Sequence, residues 1–170
     1  LFEHPTIHGL SKDIEQLIYE KKLSAIPPLT IQQRPSFLPL SFAQQRLWFL
    51  DQLLPNIALY NIPLALRLKG PLNLEVFARA FNSLTERHES LRTIFPSIEG
   101  EAQQLILPNL FINIAECSID CSSLSKEQQE DSIKTLAFEE ANTPFNLSSG
   151  PLIRLKLLKL SSKDHVLLIT

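Results

Sequence analysis

The sequence predicts an α+β fold, a sandwich of helices on a mostly antiparallel sheet. Three observations predict it. Some segments repeat apolar residues at helical spacing, others alternate apolar and polar residues, and the two kinds interleave without regular strand–helix–strand spacing. With 170 residues, 44% hydrophobic and 20% charged, the chain has the length of one domain and can bury a core of ordinary size.

The first segment, residues 6–18, predicts a short helix that Thr6 can cap. Its apolar residues form one stripe at helical spacing: Ile7, Leu10, Ile14, Leu17 and Ile18. Four prolines then forbid a continuous helix and favour an extended linker: Pro27, Pro28, Pro35 and Pro39. A domain boundary is therefore expected within residues 20–38.

The next helix begins in SFAQQRLWFLDQLLP, where Ser41 and Gln44 form a capping box and Pro55 ends the helix. Its expected buried face is Ala43, Leu47, Leu50 and Leu54. YNIPLALRLKG then predicts a strand, because three leucines alternate with other residues: Leu64, Leu66 and Leu68.

Asn73 is expected to cap a third helix, which ends in the charged stretch RHE, residues 87–89. The expected core face of this helix is Leu74, Phe77, Ala80, Phe81 and Leu84. LRTIF follows as a predicted strand beginning near Leu91, and Arg92 would then point away from the core.

The remaining chain predicts strands in AQQLIL and FINIAE after a turn at Glu99-Gly100. Ser125 and Gln128 form a second capping box, which opens a helix that closes near residue 142. PLIRLKLLKL and HVLLIT form a final hairpin. Its inward parity slips between Leu157 and Leu158, which indicates a bulge or burial on both faces.

Charge and composition exclude several function classes. The net charge of −2 gives no basic face for nucleic acid, and no apolar run is long enough to span a bilayer. The start of the chain has no secretory signal, and Cys117 and Cys121 form a bare C-x₃-C that suits neither a metal site nor a disulfide. We expect a cytoplasmic protein without a metal. The lack of methionine and the strand-like end at Thr170 indicate a segment of a longer protein.

Two motifs resemble the signatures of one family. SFAQQRLWFL, residues 41–50, is similar to S-x-A-Q-x-R-L-W-x-L, and RHESLRTIF, residues 87–95, is similar to R-H-E-x-L-R-T-x-F. Both belong to condensation domains of nonribosomal peptide synthetases. Every fixed position of both motifs is present, in the family's order. One departure is Asn146, where the family commonly has aspartate in P-F-D-L; we interpret it as a tolerated loop change.

The resemblance implies a chloramphenicol-acetyltransferase-like fold of two lobes with a tunnel between them. Residues 39–170 would be the N-terminal lobe, truncated before the family's H-H-x-x-x-D-G motif, which is expected directly after Thr170. Residues 1–19 resemble the C-terminal tail of a peptidyl carrier domain, and residues 20–38 would be the interdomain linker. The fragment alone is expected to be inactive.

The implied activity is amide-bond formation. The amine of an acceptor aminoacyl thioester attacks the carbonyl of a donor aminoacyl or peptidyl thioester. Donor and acceptor carrier domains present both on phosphopantetheine arms, whose attachment serine would lie upstream of Leu1; Ser11 lacks the G-G-H-S context. Further expected partners are the C-terminal lobe of the same domain and a neighbouring adenylation domain.

The resemblance implies that no catalytic residue lies in this chain, and we name three supporting candidates: Arg92, His88 and Arg46. An arginine fork suits a carboxylate, so Arg92 would brace the aspartate of the expected motif; the alternative is a salt bridge of little consequence. His88 at a helix end can have no role beyond the helix dipole, and Arg46 either forms a structural ion pair or supports the tunnel.

Other motif residues have structural interpretations. We expect Gln44 to cap its helix, Trp48 to pack in the core, Arg87 to form an ion pair, and His165 to be solvated or bonded to backbone. Rival functions stay open. The parent could be an epimerization, heterocyclization or ester-forming member of the family, or a non-catalytic condensation-like domain that docks carriers or recruits a tailoring enzyme. A stand-alone acetyltransferase is disfavoured by the carrier-like tail.

Overall fold

The computed structural model describes residues 6–19, 30, 33–35 and 38–170. The chain divides into two compact units, residues 1–33 and 34–170. The first contains helix α1 (Ile7–Tyr19), and the Thr6 Oγ1 accepts the Gly9 N–H at 3.1 Å, as expected for a cap. Most of the predicted linker, including Pro27 and Pro28, lies outside the described residues.

The second unit interleaves helices and strands, as predicted. Within residues 38–170 the helices are α2 (Phe42–Leu53), α3 (Leu74–Arg87), α4 (Lys126–Asn142) and a short 3-10 helix (Glu89–Arg92). The strands are β1 (Leu38–Pro39), β2 (Leu64–Lys69), β3 (Thr93–Ile94), β4 (Ser97–Ile98), β5 (Glu101–Ile106), β6 (Ser118–Asp120), β7 (Leu155–Ser161) and β8 (Asp164–Ile169).

The larger sheet has the order β2-β8-β7-β6 and carries the core on both faces. Its pairs are antiparallel except β6–β7, which is parallel. One cluster packs against the first half of α3: Ile112, Ile114, Leu155, Leu157 and Leu167, with Phe77, Ala78 and Phe81. The other packs against α4: Cys121, Leu158, Leu160, Val166 and Leu168, with Ile133, Leu136 and Ala137.

The parity slip in β7 is explained by burial on both faces. Leu157 belongs to the cluster under α3, and Leu158 to the cluster under α4. The irregularity in register lies further along, between Lys159 and Ser161. Apolar residues at both parities therefore reflect a strand covered by helices on each side.

A smaller sheet surrounds β5. β1 and β3 pair with its second half and β4 with its first, all antiparallel. The β4–β5 turn is the predicted Glu99-Gly100, and both residues have positive φ, 54° and 84°. Such a turn matches the right-handed twist of a hairpin.

The prediction of a strand in FINIAE is wrong. Residues 107–117 form an irregular segment that ends in a turn, and side chains of α3 hold it. The Asn82 amide donates to the Ile112 carbonyl at 3.0 Å and accepts the Ile112 N–H at 2.8 Å, while the Thr85 hydroxyl lies 2.9 Å from the Leu110 carbonyl. These polar groups replace a strand's ladder, so Ile112 and Ile114 are buried without one.

Two predicted apolar faces are also corrected. None of the α2 residues is fully buried, and Leu47 and Leu54 are 42% and 49% exposed. On α3 the face that meets the sheet is Phe77, Ala78 and Phe81, whereas Leu74 and Leu84 are exposed. Helical periodicity identified the helices but not the direction in which each one packs.

Candidate functional site

The charged stretch RHE lies at the end of α3, as predicted. His88 is the C-cap: its extended backbone (φ −104°, ψ 98°) ends the helix, and its N–H donates to the Leu84 carbonyl at 2.9 Å. The side chains of Arg87 and His88 are exposed. His88 therefore faces solvent at a helix terminus within this unit, and a catalytic or supporting role for it stays a prediction.

Arg92 does not lie in a strand, contrary to the prediction. It ends the 3-10 helix, and its side chain is only 14% exposed. The Nη1 donates to the Leu107 carbonyl at the end of β5, the Nη2 lies 3.9 Å from the Glu89 carboxylate, and the buried Nε has no partner among the described residues. The tight 89–92 turn rotates Arg92 inward, toward the small sheet, where a strand would have pointed it outward.

Glu89 links two arginines of this corner. Its carboxylate accepts a hydrogen bond from Arg34 on one side and lies near Arg92 on the other. The hydrogen bond from Arg34 holds the pKa of Glu89 below its usual value. Because the Glu89 and Arg34 side chains are 43% and 56% exposed, solvent screens this pair and its stabilisation is small.

The first motif has the predicted capping box, in which Ser41 and Gln44 satisfy each other's backbone N–H groups. The Gln44 side chain also donates to Gln104 of β5 at 3.2 Å. Trp48 is half-buried, so its packing prediction is met only in part, and its Nε1 has no partner in the described part of the chain. Arg46 is exposed and makes no ion pair with any described residue, so its support of a tunnel stays a prediction.

A cavity of about 230 Å³ lies between α2 and the loops that face it. It is mostly apolar, with Asp51 and Asn61 as polar members of the wall. Its lining is Gln44, Leu47, Trp48, Asp51, Ile57, Tyr60, Asn61, Phe95, Phe145 and Leu147. Phe95 follows the second motif's strand, and its N–H donates to the Leu147 carbonyl at 2.7 Å. Residues of both signature motifs thus meet around one cavity.

Sequence reasoning missed Arg154, whose guanidinium is bonded on several sides. It donates to the Glu140 carboxylate at 3.0 Å and to backbone carbonyls at the end of α4, and it lies 3.8 Å from the Phe145 ring centroid. A basic residue in the otherwise apolar PLIRL was the available signal. It was overlooked because alternation in a strand predicts an exposed arginine.

The Glu140 carboxylate joins Arg154 to Lys156, whose Nζ lies 3.1 Å away. Burial raises the pKa of Glu140, but hydrogen bonds from Lys156 and Arg154 lower it more, and the net pKa is below the usual value. Glu140 is therefore ionised at neutral pH although it is 8% exposed, because two cations compensate its lost hydration.

His165 and Asn146 give opposite outcomes for their sequence interpretations. His165 is 4% exposed, so it is not solvated, and its Nδ1 has no partner among the described residues. Asn146 accepts the N–H groups of Ser148 and Ser149 at 2.9 and 3.1 Å. An aspartate would accept the same two bonds, which explains why the asparagine is tolerated in this turn.

Other chemistry finds little support in the described residues. No group of three or more His, Cys, Asp or Glu side chains in residues 6–19 and 38–170 could hold a metal ion. Cys117 and Cys121 are free thiols, and burial raises the pKa of both. Among the helices that the structure describes, none has the length and apolarity needed to cross a bilayer.

The fold and the two motifs define an acyltransferase-type lobe, and comparison with known proteins identifies its family. The model of the condensation domain matches residues 35–170. The chain belongs to this family, the condensation domains of nonribosomal peptide synthetases. It is 45% identical over 169 residues to one of the proteins of linear gramicidin synthase from Brevibacillus parabrevis, a match that covers 99% of the chain and 2% of that protein. The chain thus spans a very small part of the curated relatives that it matches.

Solved structures confirm the fold. The X-domain in the complex of the X-domain and OxyB from teicoplanin biosynthesis has a TM-score of 0.71 with this chain and 29% identity, over 84% of this chain and 29% of that one. The first condensation domain of the calcium-dependent antibiotic synthetase, solved with a substrate analogue, has a TM-score of 0.69 and 24% identity, over 79% of this chain and 32% of that one. The predicted α+β, chloramphenicol-acetyltransferase-like fold is therefore correct.

Proposed function

We propose that this chain is the N-terminal lobe of an amide-forming condensation domain, with residues 1–19 as the end of a carrier domain and residues 20–38 as the linker. The observation that carries the proposal is the complete pair of signature motifs, which meet around one cavity in a lobe of the family's fold. The match to the linear gramicidin synthase protein extends over 169 residues, and so includes the region before residue 35.

In the proposed reaction the acceptor amine attacks the donor thioester carbonyl. A C–N bond forms, the C–S bond breaks, and the donor's phosphopantetheine thiol leaves as the amine loses a proton. The arm belongs to the carrier domains and arrives as part of each substrate. Tethering two substrates makes the step effectively unimolecular, which can lower the barrier by about 7–11 kcal/mol.

The role of this lobe in that reaction is to hold geometry. None of its described residues forms an acid–base pair with a nucleophile, and the family's histidine motif is expected after Thr170. Arg92 supports the lobe by fixing the end of β5 at the Leu107 carbonyl. We retain the proposal that Arg92 also braces the aspartate of that motif, since its Nε has no partner among the described residues.

The test is condensation by the parent protein, with the donor carrier and the acceptor carrier each loaded through its phosphopantetheine thiol. Intact-protein mass spectrometry follows transfer of the donor acyl group to the acceptor carrier. We expect transfer by the parent and none by residues 1–170 alone. Arg92→Ala should slow transfer by about 100-fold through misplacement of the site. Arg79→Ala, which removes an exposed arginine of α3, is the control and should not slow it.

A second candidate is a condensation-like domain that binds another protein and forms no bond. The similarity to the teicoplanin X-domain favours it, since that structure is a complex with OxyB. The same assay separates the two candidates. Correctly loaded carriers with no transfer by the parent would reject the amide-forming proposal and leave the binding domain.

A further inference from the structure

The last described residue, which follows β8, is held by Arg154 through its backbone. The Arg154 N–H donates to the Thr170 carbonyl at 2.9 Å, and the Thr170 N–H donates to the Arg154 carbonyl at 3.0 Å. This exchange continues the β7–β8 register, in which Leu155 pairs with Ile169. Arg154 therefore fixes where the chain leaves the sheet.

The side chain of the same residue fixes the end of α4. Beyond the Glu140 carboxylate, its nitrogens donate to the carbonyls of Glu140 at 3.1 Å, Thr143 at 2.6 Å and Pro144 at 3.2 Å. The last carbonyls of a helix have no partner within it, and a guanidinium has five donors in one plane to satisfy them. One residue thus joins a strand end to a helix end.

Asn61 reinforces this junction from the other side. Its amide donates to the carbonyls of Ala141 and Thr143, both at 2.9 Å. Asn61 and Phe145, on which Arg154 stacks, both line the cavity beside α2. The junction at Arg154 is therefore in direct contact with a wall of the cavity where the signature motifs meet.

We propose that Arg154 is a positioning residue that holds the end of β8, and the segment following Thr170, against the C-terminal end of α4. The catalytic consequence rests on the proposed function, in which that segment is the histidine motif. An arginine is required because a lysine has no planar fork: it can neutralise Glu140, but it cannot span three carbonyls and stack on Phe145 at once.

A matched control lies at the opposite end of the same strand. Arg67 of β2 is also a multiply bonded guanidinium, with its Nε and Nη2 3.0 and 2.9 Å from the Asp164 carboxylate at the start of β8 and its Nη1 2.8 Å from Glu130 of α4. Both arginines thus tie β8 to α4. Arg154 does so where the strand ends and Arg67 where it begins.

The experiment compares Arg154→Gln, Arg154→Lys and Arg67→Gln in the full parent protein. The first measurement is hydrogen–deuterium exchange of the Thr170 amide and the peptide that follows it. We expect both Arg154 variants to speed exchange there by about tenfold or more through local opening, and Arg67→Gln to leave it unchanged. Equal exchange in all three proteins would overturn the inference.

The second measurement is single-turnover condensation at varied acceptor-carrier concentration. Arg154→Gln should lower the maximal rate by about 10- to 100-fold, with an unchanged half-saturating concentration, because alignment and not carrier binding is lost. Arg154→Lys should rescue less than about a tenth of the loss, because it lacks the planar fork. Rescue to the wild-type rate, or an equal loss in Arg67→Gln, would show that Arg154 only stabilises the fold.

Two safeguards keep the outcomes separate. If Arg154→Gln does not fold, Glu140→Gln takes its place, since it keeps the carbonyl bonds of Arg154 and removes the carboxylate; it should speed exchange after Thr170 by a smaller factor, and no change would contradict the inference. If the wild-type parent forms no amide, the proposed function fails, while the exchange contrast between Arg154 and Arg67 still decides whether Arg154 holds the segment.

Discussion

Helices α2 and α4 begin with the same capping box, Ser-x-x-Gln, yet they pack in different ways. In both, the serine oxygen accepts the N3 amide at 3.3 Å and the glutamine side chain accepts a bond from the serine N–H. α4 then covers the large sheet through Ile133, Leu136 and Ala137. α2 has no fully buried residue, and its Phe49 and Leu53 are 60% and 61% exposed.

The difference teaches that capping fixes where a helix begins but not what it packs against. α4 lies on a sheet built entirely within residues 64–169, which is present to be covered. α2 faces the small sheet and a cavity, and its outer apolar side chains meet no part of the described chain that buries them. The core of this unit therefore depends on α4 far more than on α2.

The largest expected effect compares one leucine from each region. Leu158 is 0% exposed between the large sheet and α4, so Leu158→Ala should lower the free energy of unfolding by about 2–5 kcal/mol, since it removes buried methyl groups and leaves a cavity. Leu53→Ala on α2 should cost roughly 0.5 kcal/mol or less. Urea unfolding of both variants measures the contrast, and similar costs would show that α2 contributes equally to the core.

The next effect sharpens the comparison at the loop beside the cavity. Gly150 has φ 60°, and a Cβ there would lie 2.7 Å from the Ile94 Cγ2, so Gly150→Ala should destabilise the protein by about 1–3 kcal/mol. Gly100 has φ 84° with nothing within 4 Å of such a Cβ. Gly100→Ala therefore reports backbone strain alone. Thermal unfolding that lowers Tm equally in both variants would exclude the clash with Ile94.

The smallest effect concerns pH. The pKa of Glu140 is lowered in the folded state, so its ionisation stabilises the fold above the unfolded pKa of about 4.3, and this stability is lost as the pH falls through the lower folded pKa. The Tm difference between the wild type and Glu140→Gln should thus be full at a pH of about 6 and shrink below a pH of about 4. A difference that stays constant over that range and below it would mean that the charge of Glu140 contributes nothing. Asp120 and Asp164, whose pKa values are also lowered, titrate equally in both proteins.

Much of the fold could be predicted from local signals. Both capping boxes, the Asn73 cap, the Glu99-Gly100 turn and the final hairpin are where local residue patterns placed them. The failures are non-local. FINIAE alternates like a strand, but its backbone bonds to Asn82 and Thr85 of a distant helix; β6, only three residues long, forms by parallel pairing with β7. Neither event has a signal within its own segment.

The candidate site shows the same limit. Motif resemblance predicted that Arg92 and Gln44 belong to important segments, but it could not predict the 3-10 turn that rotates Arg92 onto the Leu107 carbonyl. Arg154 was missed because its importance arises from where α4 ends and where β8 ends. Those two ends come together only once the sheet and its covering helix have formed.

The most direct test of amide formation is to read the parent polypeptide immediately after Thr170. We predict H-H-x-x-x-D-G there, so that the strand end held by Arg154 carries the catalytic histidine motif of an amide-forming domain. If those histidines are replaced, the lobe belongs to a cyclizing or non-catalytic relative. The proposal of amide formation would then be contradicted, and the junction at Arg154 would serve other chemistry or binding.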